Sequence, residues 1–219
     1  MWRRPSTRKR AAWQGARVKV IVTCGPSYEP IDEVRRITNF SSGALGVALA
    51  NALARAGHEV VCFKGVAAVS PNPEPAVSVR RFTTNDDLLA QLRAAPEREA
   101  VGAVFHAAAL ADFKVRRAGG ERKIFSRAGE VTLTLVPATK LIGELRGLFP
   151  NARITGWKYE LDGMREEALA KGARQIAENR TDGCVVNGAA YGAGFGVLAR
   201  EGAVAHCADK AALCEWLAR

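Results

Sequence analysis

The fold is decided by residues 18–60, VKVIVTCGPSYEPIDEVRRITNFSSGALGVALANALARAGHEV. An apolar run ends at Gly25, where a nucleotide-binding α/β fold places its phosphate loop. The segment SSGALGVALANALARAG is predicted to form a helix that ends at Gly57, and a second apolar run, HEVVCFKG, follows it. The stretch therefore predicts a strand, a helix and a strand, with the unusual insertion EPIDEVRRITNFSSG before the helix.

The same alternation continues along the chain. Further strands are predicted at VSVRRFT, AVGAVFHAAALAD, ARITGW and TDGCVVNG, and helices at TNDDLLAQLRAA, ATKLIGELRGLF and GMREEALAKGARQIAEN. Near the end, Glu201–Gly202 marks a hairpin turn, and Asp209 is predicted to cap a last helix. The order predicts an α/β protein with a Rossmann-like, doubly wound, mostly parallel sheet and a C-terminal hairpin.

One segment interrupts this alternation. Residues 113–130, which are basic, polar and glycine-bearing, are predicted to form a mobile flap, and the short strand VTLTLV follows. The flap is expected to be an insertion within a single domain that spans residues 18–219, because no internal repeat divides the chain.

Composition limits the function classes. Hydrophobic residues make up 48% of the 219, but no apolar run reaches the roughly 18 residues of a membrane span. The five cysteines show no paired metal spacing, which indicates reduced core thiols and a cytoplasmic protein. We therefore expect no membrane partner.

Charge is concentrated at the start of the chain. Residues 1–17 hold six of the 32 basic residues and no acid, which leaves a net charge of +4 on the remainder out of +10. The segment is predicted to be a disordered tail, with a nucleic-acid arm or a targeting sequence as alternatives. We expect no nucleic-acid partner, since the modest charge of the remainder suits a site that handles phosphates.

Ligands of such sheets bind beyond the carboxyl ends of the strands. The motif NFSSGALG lies there, after Gly25. Free amides at the helix start, around Ser42 and Gly43, predict an anion site, and capping by Ser41 or Ser42 is the alternative. The Asn39 carboxamide suits an acyl oxygen whose charge changes during a reaction.

Two more strand ends supply candidate residues. In AAALADF, the small side chains of Ala108 and Ala109 allow close backbone approach, and Asp112 offers an acceptor for a ribose or a metal, unless it is an ordinary turn residue. Asn187 ends a later strand at the same edge, which adds a second carboxamide to the crevice.

Three larger side chains have both functional and ordinary interpretations. Lys123 in the flap can neutralise a triphosphate, or it is a solvated surface lysine. Trp157 at a strand end can stack on a base, or it packs in the core. Lys171 shares a helix face with Arg174, where the two reach phosphates or are solvated.

Together these segments resemble the phosphopantothenoylcysteine synthetase family, the phosphopantothenate–cysteine ligases of coenzyme A biosynthesis. The motifs GPSYEPIDEVRRITNFSSGALG, AAALADF, ERKIF, TGWKYELD and VVNGAAYGAGFG occur in the family's order over residues 18 to about 210. The resemblance implies that 4′-phosphopantothenate is activated by a nucleoside triphosphate. An acyl-nucleotidyl intermediate and pyrophosphate form, and L-cysteine then attacks the intermediate.

The resemblance also implies roles for single residues. Asn39 matches the asparagine that contacts the acyl-nucleotidyl group, and Lys123 matches the flap lysine on the triphosphate. The nucleotide site is implied at Gly25, Ser42, Gly43, Ala108, Ala109, Asp112, Lys123, Ala138, Leu141, Trp157 and Lys171. The substrate site is implied at Asn39, Ser41 and Asn187.

Cofactors and partners follow from the same resemblance. The family requires a divalent cation, usually Mg²⁺, and works as a homodimer whose flap closes a shared site. The chain has PATK (Pro137–Lys140) where bacterial members usually have KNPD, and GWKYEL where they often have GFAAET. These segments are closer to eukaryotic-type members, so the sequence leaves CTP and ATP open. We expect no fused flavin-dependent decarboxylase in the chain, and a separate one acting next in the pathway.

Two alternatives remain from the sequence. An NAD(P)-dependent reductase needs a glycine-rich loop after the first strand, but Gly25 stands alone there. A catalytically weak binding or regulatory relative of the synthetase fits the altered motifs, although Asn39, Asp112 and Lys123 are retained.

Overall fold

The computed structural model describes residues 17–116, 122–125, 127 and 129–219. The predicted tail therefore lies outside the described residues except for Arg17. The strands are β1 (Lys19–Cys24), β2 (Tyr28–Pro30), β3 (Arg36–Thr38), β4 (Glu59–Gly65), β5 (Ser78–Phe82), β6 (Val101–His106), β7 (Phe113–Val115), β8 (Leu135–Pro137), β9 (Arg153–Tyr159), β10 (Gly183–Asn187), β11 (Phe195–Ala199) and β12 (Val204–Cys207). The helices are α1 (Ala44–Arg55), α2 (Asn85–Arg93), α3 (Leu141–Leu148), α4 (Arg165–Asn179) and α5 (Lys210–Ala218).

Eight strands form the central sheet in the order β12-β11-β10-β9-β6-β1-β4-β5. The six strands from β10 to β5 are parallel, and β11 and β12 add an antiparallel hairpin at one edge. The chain runs from β1 outward to β5 on one side and returns at β6 to build the other side. The predicted doubly wound sheet and C-terminal hairpin are confirmed, and the switch point lies between β1 and β6.

Helices cover both faces of the sheet. Helices α1 and α5 pack together over one face, where Leu49, Leu53 and Leu213 are buried with the apolar residues of β1. Helices α2 and α3 cover the opposite face around Leu88 and Leu145, and α4 packs beside them over β9 and β10. The strands are buried on both sides, which explains why they appear in the sequence as continuous apolar runs.

Two short ribbons lie outside the central sheet, and the sequence did not predict them. The insertion after β1 contains the antiparallel pair β2–β3, and the pair β7–β8 forms the base of the flap. The strand predicted at VTLTLV is shorter and later, since β8 covers only its last two residues and Pro137. Three-residue strands lack a repeated apolar pattern, and these ribbons contact each other instead through β2 and β7.

Side chains cap the starts of two helices, and one of these caps, Asp209, was predicted from the sequence. Thr84 Oγ1 accepts a hydrogen bond from Asp87 N, and Asp209 Oδ1 accepts one from Ala212 N. At α1 the cap residue is Gly43, with φ +76°, and no side chain caps the helix. The cap position is therefore not a serine, although Ser42 Oγ accepts a 3.3 Å hydrogen bond from Ala44 N at the first residue of the helix.

Asn85 joins two loops that are far apart in the sequence. Its side chain is buried at the start of α2, and Nδ2 donates to the carbonyls of Ala111 at 2.8 Å and Thr139 at 3.1 Å. Its Oδ1 is buried without a hydrogen-bond partner among the described residues. The carboxamide therefore fixes the loop after β6 against the segment that precedes α3.

The described cysteines are all buried free thiols, as expected. None of the helices in the described part of the chain combines the length and apolarity that crossing a bilayer requires.

Gly46 tests the close packing of α1 on β1. A Cβ at Gly46 would lie 2.2 Å from Cys24 Cβ, whereas a Cβ at Gly147 in α3 would meet open space. We expect Gly46→Ala to lower the free energy of unfolding by about 1–3 kcal/mol, because helix and strand must separate. Gly147→Ala is the control, and it should raise stability by roughly 0.5–1 kcal/mol. Urea denaturation of both variants measures these changes. Equal free energies of unfolding for the two variants would contradict the close packing of α1 on β1.

Asn85→Asp tests the junction between the loops. A carboxylate there cannot donate to the two carbonyls, so we expect a loss of about 1–3 kcal/mol in the free energy of unfolding. Asn151 is a matched control, since it is exposed and donates one 3.2 Å hydrogen bond to Glu99 O. Asn151→Asp should change stability by about 0.5 kcal/mol or less. Denaturation measures the free energy of unfolding of both variants. Equal losses in the two would show that the Asn85 side chain does not hold the two loops together.

Candidate functional site

The loops that follow β1 and β6 pair with each other at the switch point. Ala109 N donates to Gly25 O at 3.0 Å, Ser27 N donates to Ala109 O at 3.3 Å, and Pro26 and Ala109 form a parallel bridge. The two central strands are thus extended beyond their regular ends. This pairing forms the floor of the crevice in which a doubly wound sheet binds its ligand.

The start of α1 lies directly against this floor. A Cβ at Gly43 would come within 3.2 Å of Gly25 Cα, and one at Gly25, where φ is +78°, would lie 2.6 Å from Ala68 Cβ. No acidic side chain occurs in the first turn of α1. The first N–H groups of a helix favour anions, so this end suits a phosphate or carboxylate.

A buried lysine supports the loop that carries Ala68. Lys64 is 1% exposed at the end of β4, and its Nζ donates to the carbonyls of Ser70 and Pro71. Burial lowers the pKa of the ammonium, and the nearby Arg81 lowers it further. Ser70 N in turn donates to Ser42 O at 3.0 Å, so the buried ammonium stabilises the loop that packs beside the helix start.

Asn39 connects the insertion to the loop after β6. Its Nδ2 donates to Leu110 O at 2.9 Å and to Ala109 O at 3.3 Å. Both amide hydrogens are thereby directed at backbone carbonyls, and Oδ1 accepts no hydrogen bond from the described residues. Asn39 is exposed at the crevice, so the structure presents its acceptor oxygen to a ligand.

The remaining predicted residues of this group lie at the far side of the same loop. Asp112 is exposed, and its carboxylate has no partner among the described residues. Its backbone carbonyl accepts a 2.9 Å hydrogen bond from Ala138 N, which places PATK beside the crevice. Leu141 is buried at the start of α3. Because Ala138 N already donates to Asp112 O, that N–H is unavailable to a base.

Lys123 lies in the part of the flap nearest to the β2–β3 ribbon. Its side chain is exposed and has no partner among the described residues. On either side of it, Arg122 O accepts a hydrogen bond from Glu33 N, and Ile124 N donates to the Asp32 carboxylate. The segment around Lys123 is therefore hydrogen-bonded to the insertion, and the mobility of the flap as a whole stays a prediction.

A second group of predicted residues lies at the ends of β9 and β10. Asn187 is the last residue of β10, and its carbonyl accepts a hydrogen bond from Glu160 N at 2.9 Å. The Glu160 carboxylate accepts a hydrogen bond from Lys171 and ion-pairs with Lys158 at 3.4 Å. Burial alone would raise the pKa of Glu160, but the two ammonium groups outweigh it and the pKa is lowered.

Trp157 occupies a different position from the one expected. Strand β9 continues to Tyr159, so Trp157 lies inside the strand rather than at its end. Its ring is half-buried against the core beneath α1 and α5, and Nε1 is buried without a partner among the described residues. Core packing accounts for this placement, and stacking on a base stays a prediction.

His106 is a buried residue that lies beneath the crevice. It is buried at the end of β6, and its Nδ1 lies 2.8 Å from Thr23 Oγ1. Burial lowers the pKa of His106 to about 4, so the ring is neutral near pH 7. Thr23 Oγ1 also accepts a 3.4 Å hydrogen bond from Ala108 N, which links the histidine to the loop after β6.

The structure thus brings most predicted site residues to one edge. Gly25, Asn39, Gly43 and Ala109 are joined by backbone and side-chain contacts at the switch point, and Asp112 lies three residues beyond Ala109 in the same loop. The ends of β9 and β10 lie two and three strands away from β1, which is roughly 10–14 Å.

Sequence reasoning missed the residues that fix these loops, namely Asp32, Asn85 and Glu160. Asn85 occurs in an ordinary helix-start pattern, and Asp32 and Glu160 occur in polar segments. Only their partners distant in the sequence distinguish them.

A resident metal site built from several protein ligands is not present in the described residues, since none of them form a group of three or more His, Cys, Asp or Glu side chains. Mg²⁺ commonly uses one or two carboxylates together with substrate phosphates. The unpartnered carboxylate of Asp112, at the crevice, fits that smaller requirement.

Comparisons with known proteins identify relatives of the chain. Residues 15–215 match the family model described as the DNA/pantothenate metabolism flavoprotein C-terminal domain. The coenzyme A biosynthesis bifunctional protein CoaBC of Thermococcus kodakarensis is 30% identical over 170 residues, which cover 77% of this chain and 41% of that protein. CoaBC of Bacillus subtilis is 31% identical over 185 residues, covering 81% and 42%. The chain thus spans about two fifths of the length of these relatives.

Solved structures agree in fold. The DNA/pantothenate metabolism flavoprotein from Streptococcus pneumoniae superposes with a TM-score of 0.79 at 23% identity, covering 91% of this chain and 96% of that one. A Cab2 variant in complex with phosphopantothenate-cysteine superposes with a TM-score of 0.73 at 17% identity, covering 91% and 83%. With its family model matched over residues 15–215 and this sheet shared, the chain belongs to the DNA/pantothenate metabolism flavoprotein C-terminal domain family.

Proposed function

We propose that the chain is a phosphopantothenate–cysteine ligase, which joins 4′-phosphopantothenate to L-cysteine in coenzyme A biosynthesis. Its membership of a family whose curated members include CoaBC proteins supports the activity, as does a structural neighbour solved with phosphopantothenate-cysteine. The observation that carries the proposal is Asn39, hydrogen-bonded to the Ala109 and Leu110 carbonyls beside the start of α1. A carboxamide and a helix start suit an acyl substrate and an anion in one crevice.

The proposed reaction has two steps. The carboxylate of phosphopantothenate attacks the α-phosphorus of a nucleoside triphosphate, and pyrophosphate leaves. The amine of cysteine then attacks the acyl carbon, and nucleoside monophosphate leaves. Activation is required because a free carboxylate is a poor acyl donor, whereas a phosphate-linked acyl group has a good leaving group.

The site residues divide this work between them. The first N–H groups of α1, at Gly43, hold an anionic phosphate, and the Lys123 ammonium neutralises charge on the triphosphate. Asn39 Oδ1 faces the crevice, where it accepts a hydrogen bond from a donor on the substrates, such as the amine of cysteine as it approaches the acyl carbon. Asn187 and Lys171 line the far end, where Lys171 is paired with Glu160.

A divalent cation, Mg²⁺ by preference, would be held by the carboxylate of Asp112 together with the phosphates. When bound, it supplies neutralisation of the triphosphate charge. The identity of the nucleotide, CTP or ATP, depends on the PATK segment. The contact of Ala138 N with Asp112 O leaves carbonyl groups and the start of α3 for base recognition.

We also propose that a second copy of the chain completes the site. Three phenylalanines on or beside the two ribbons have exposed rings, namely Phe40, Phe113 and Phe125, and Phe40 is fully exposed next to Asn39. An apolar surface of this kind beside a polar site is typical of an interface. Sedimentation velocity at micromolar concentration tests the homodimer.

The first experiment measures pyrophosphate release with magnesium, 4′-phosphopantothenate and cysteine, with CTP and ATP in parallel. Release that requires phosphopantothenate, together with a product of the mass of phosphopantothenoylcysteine, is expected. Absence of release with both nucleotides would contradict the ligase and favour a non-catalytic relative.

Asn39→Asp should reduce turnover by roughly 100-fold or more, because a carboxylate loses both hydrogen bonds to backbone carbonyls and repels an anionic substrate. Stability should change by less than about 1 kcal/mol, since the side chain is exposed. Steady-state kinetics and denaturation separate the two effects. Asn151→Asp, at the opposite edge of the sheet, is the control with unchanged turnover. An unchanged turnover number for Asn39→Asp would remove this residue from the mechanism.

Lys123→Gln should slow the nucleotide-dependent first step by about 10–100-fold, because a triphosphate would lose one cation. Pyrophosphate release in a single turnover without cysteine measures that step directly. Lys19→Gln is the matched control, since Lys19 pairs with Glu97 at the amino edge of the sheet. If the first step kept its normal rate in Lys123→Gln, the role of the flap lysine would be wrong.

A further inference from the structure

Asp32 is a buried carboxylate on which hydrogen bonds from two separate segments converge. Its Oδ1 accepts from Val34 N at 2.8 Å and from Arg35 N at 2.7 Å, both within residues 31–35, here named the docking turn. Its Oδ2 accepts from Ile124 N at 3.1 Å, across 92 positions in the sequence, and also from the Arg35 guanidinium. The side chain is 5% or less exposed, so these donors replace water as its partners.

The flap segment 122–124 is attached to the docking turn on both sides of Lys123. Ile124 donates its N–H to Asp32, and its carbonyl accepts from Arg35 at 3.2 Å. Arg122 O accepts from Glu33 N at 3.0 Å, and the Arg122 guanidinium forms two hydrogen bonds to the Glu33 carboxylate at 2.7 and 2.8 Å. The backbone is therefore fixed immediately before and after Lys123.

Lys123 itself is left available. Its side chain is exposed, and it makes no hydrogen bond or ion pair with the described residues, while both of its neighbours are engaged. The docking turn continues directly into β3, and Asn39 follows the last residue of that strand. Only strand β3 separates the docking turn, to which the flap segment is attached, from Asn39. The positions of the flap segment and of Asn39 therefore depend on the same short strand.

We propose that Asp32 is a positioning residue, which holds segment 122–124 on the docking turn and thereby sets where the Lys123 ammonium meets the triphosphate. The inference rests on the proposed ligase function. Fixing the backbone in advance removes an ordering cost that a free flap would incur each time substrate binds. Asp32 contacts no reacting atom in this arrangement and acts only through Lys123.

The contact also persists over a wide pH range. Burial by itself would raise the pKa of Asp32, but hydrogen bonds from Ile124, Val34 and Arg35 outweigh it and lower the pKa to about 2. The carboxylate therefore stays ionised at every pH at which the protein would be assayed.

Asp32→Asn is the decisive variant. A carboxamide can accept with only one oxygen, so its NH₂ group must face either Ile124 N–H or the two N–H groups of the turn, donor against donor. We expect trypsin to cut after Arg122 and Lys123 about tenfold faster than in the wild type, because cleavage follows the population of undocked flap. Cleavage elsewhere should keep its wild-type rate.

Removal of a charge in the exposed part of the contact gives a second test that does not depend on a buried group. Glu33→Gln removes the ion pair with Arg122 without adding a trypsin site, and it should speed the same cleavage by about threefold at low salt and less at high salt. Glu97→Gln is its control, because Glu97 pairs with Lys19 at the opposite edge of the sheet. It should leave cleavage after Lys123 unchanged.

Turnover then separates positioning from a general structural effect. Asp32→Asn should slow the first step about tenfold or more, and the double variant with Lys123→Gln should be no slower than Lys123→Gln alone. Losses that multiply would show that Asp32 acts independently of Lys123. Faster turnover in Asp32→Asn would show that docking keeps the lysine away from substrate.

Unchanged cleavage after Lys123 in Asp32→Asn would also overturn the inference, whatever the activity. If the wild-type chain released no pyrophosphate with either nucleotide, the proposed function would fail, and the cleavage rates would still decide whether Asp32 fixes the flap segment.

Discussion

The pairing of the loops after β1 and β6 is the constraint on which the rest of the site depends. Two backbone hydrogen bonds between Gly25, Ser27 and Ala109 extend the central strands past their regular ends. In a doubly wound sheet the strands at the switch point diverge and leave an open crevice. Here the pairing gives that crevice a floor of backbone, and small residues on it allow α1 to begin almost in contact with the floor.

The loops above the floor are held by buried polar groups rather than by an apolar core. Lys64 binds backbone carbonyls of the loop after β4, Asn85 joins the loop after β6 to PATK, and Asp32 joins the flap to the docking turn. Each of these groups makes several hydrogen bonds, since a buried polar group without partners is costly. Directional bonds can fix a loop that has too few apolar residues to bury, as in the loops at this edge of the sheet.

The observed contacts bear on the roles inferred for two predicted residues. Asn39 was predicted to meet an acyl oxygen with a carboxamide that can donate or accept, but its Nδ2 donates to two carbonyls of the paired loop, so the exposed oxygen faces the crevice. Lys123 was predicted on a flap, and the residues on either side of it are hydrogen-bonded to the insertion. The long insertion after β1 therefore carries Asn39 at one end and supports the flap lysine at its turn.

The sequence by itself determined the order of the strands and helices of the central sheet and the hairpin at Gly202. Those features depend on local periodicity, turn chemistry and chain order, which single segments contain. Only the tertiary structure decided that Trp157 lies within β9, that Asn85 bridges two loops, and that Asp32 holds segment 122–124. These depend on partners up to 92 residues away, and a short polar segment carries no periodicity that identifies a distant partner.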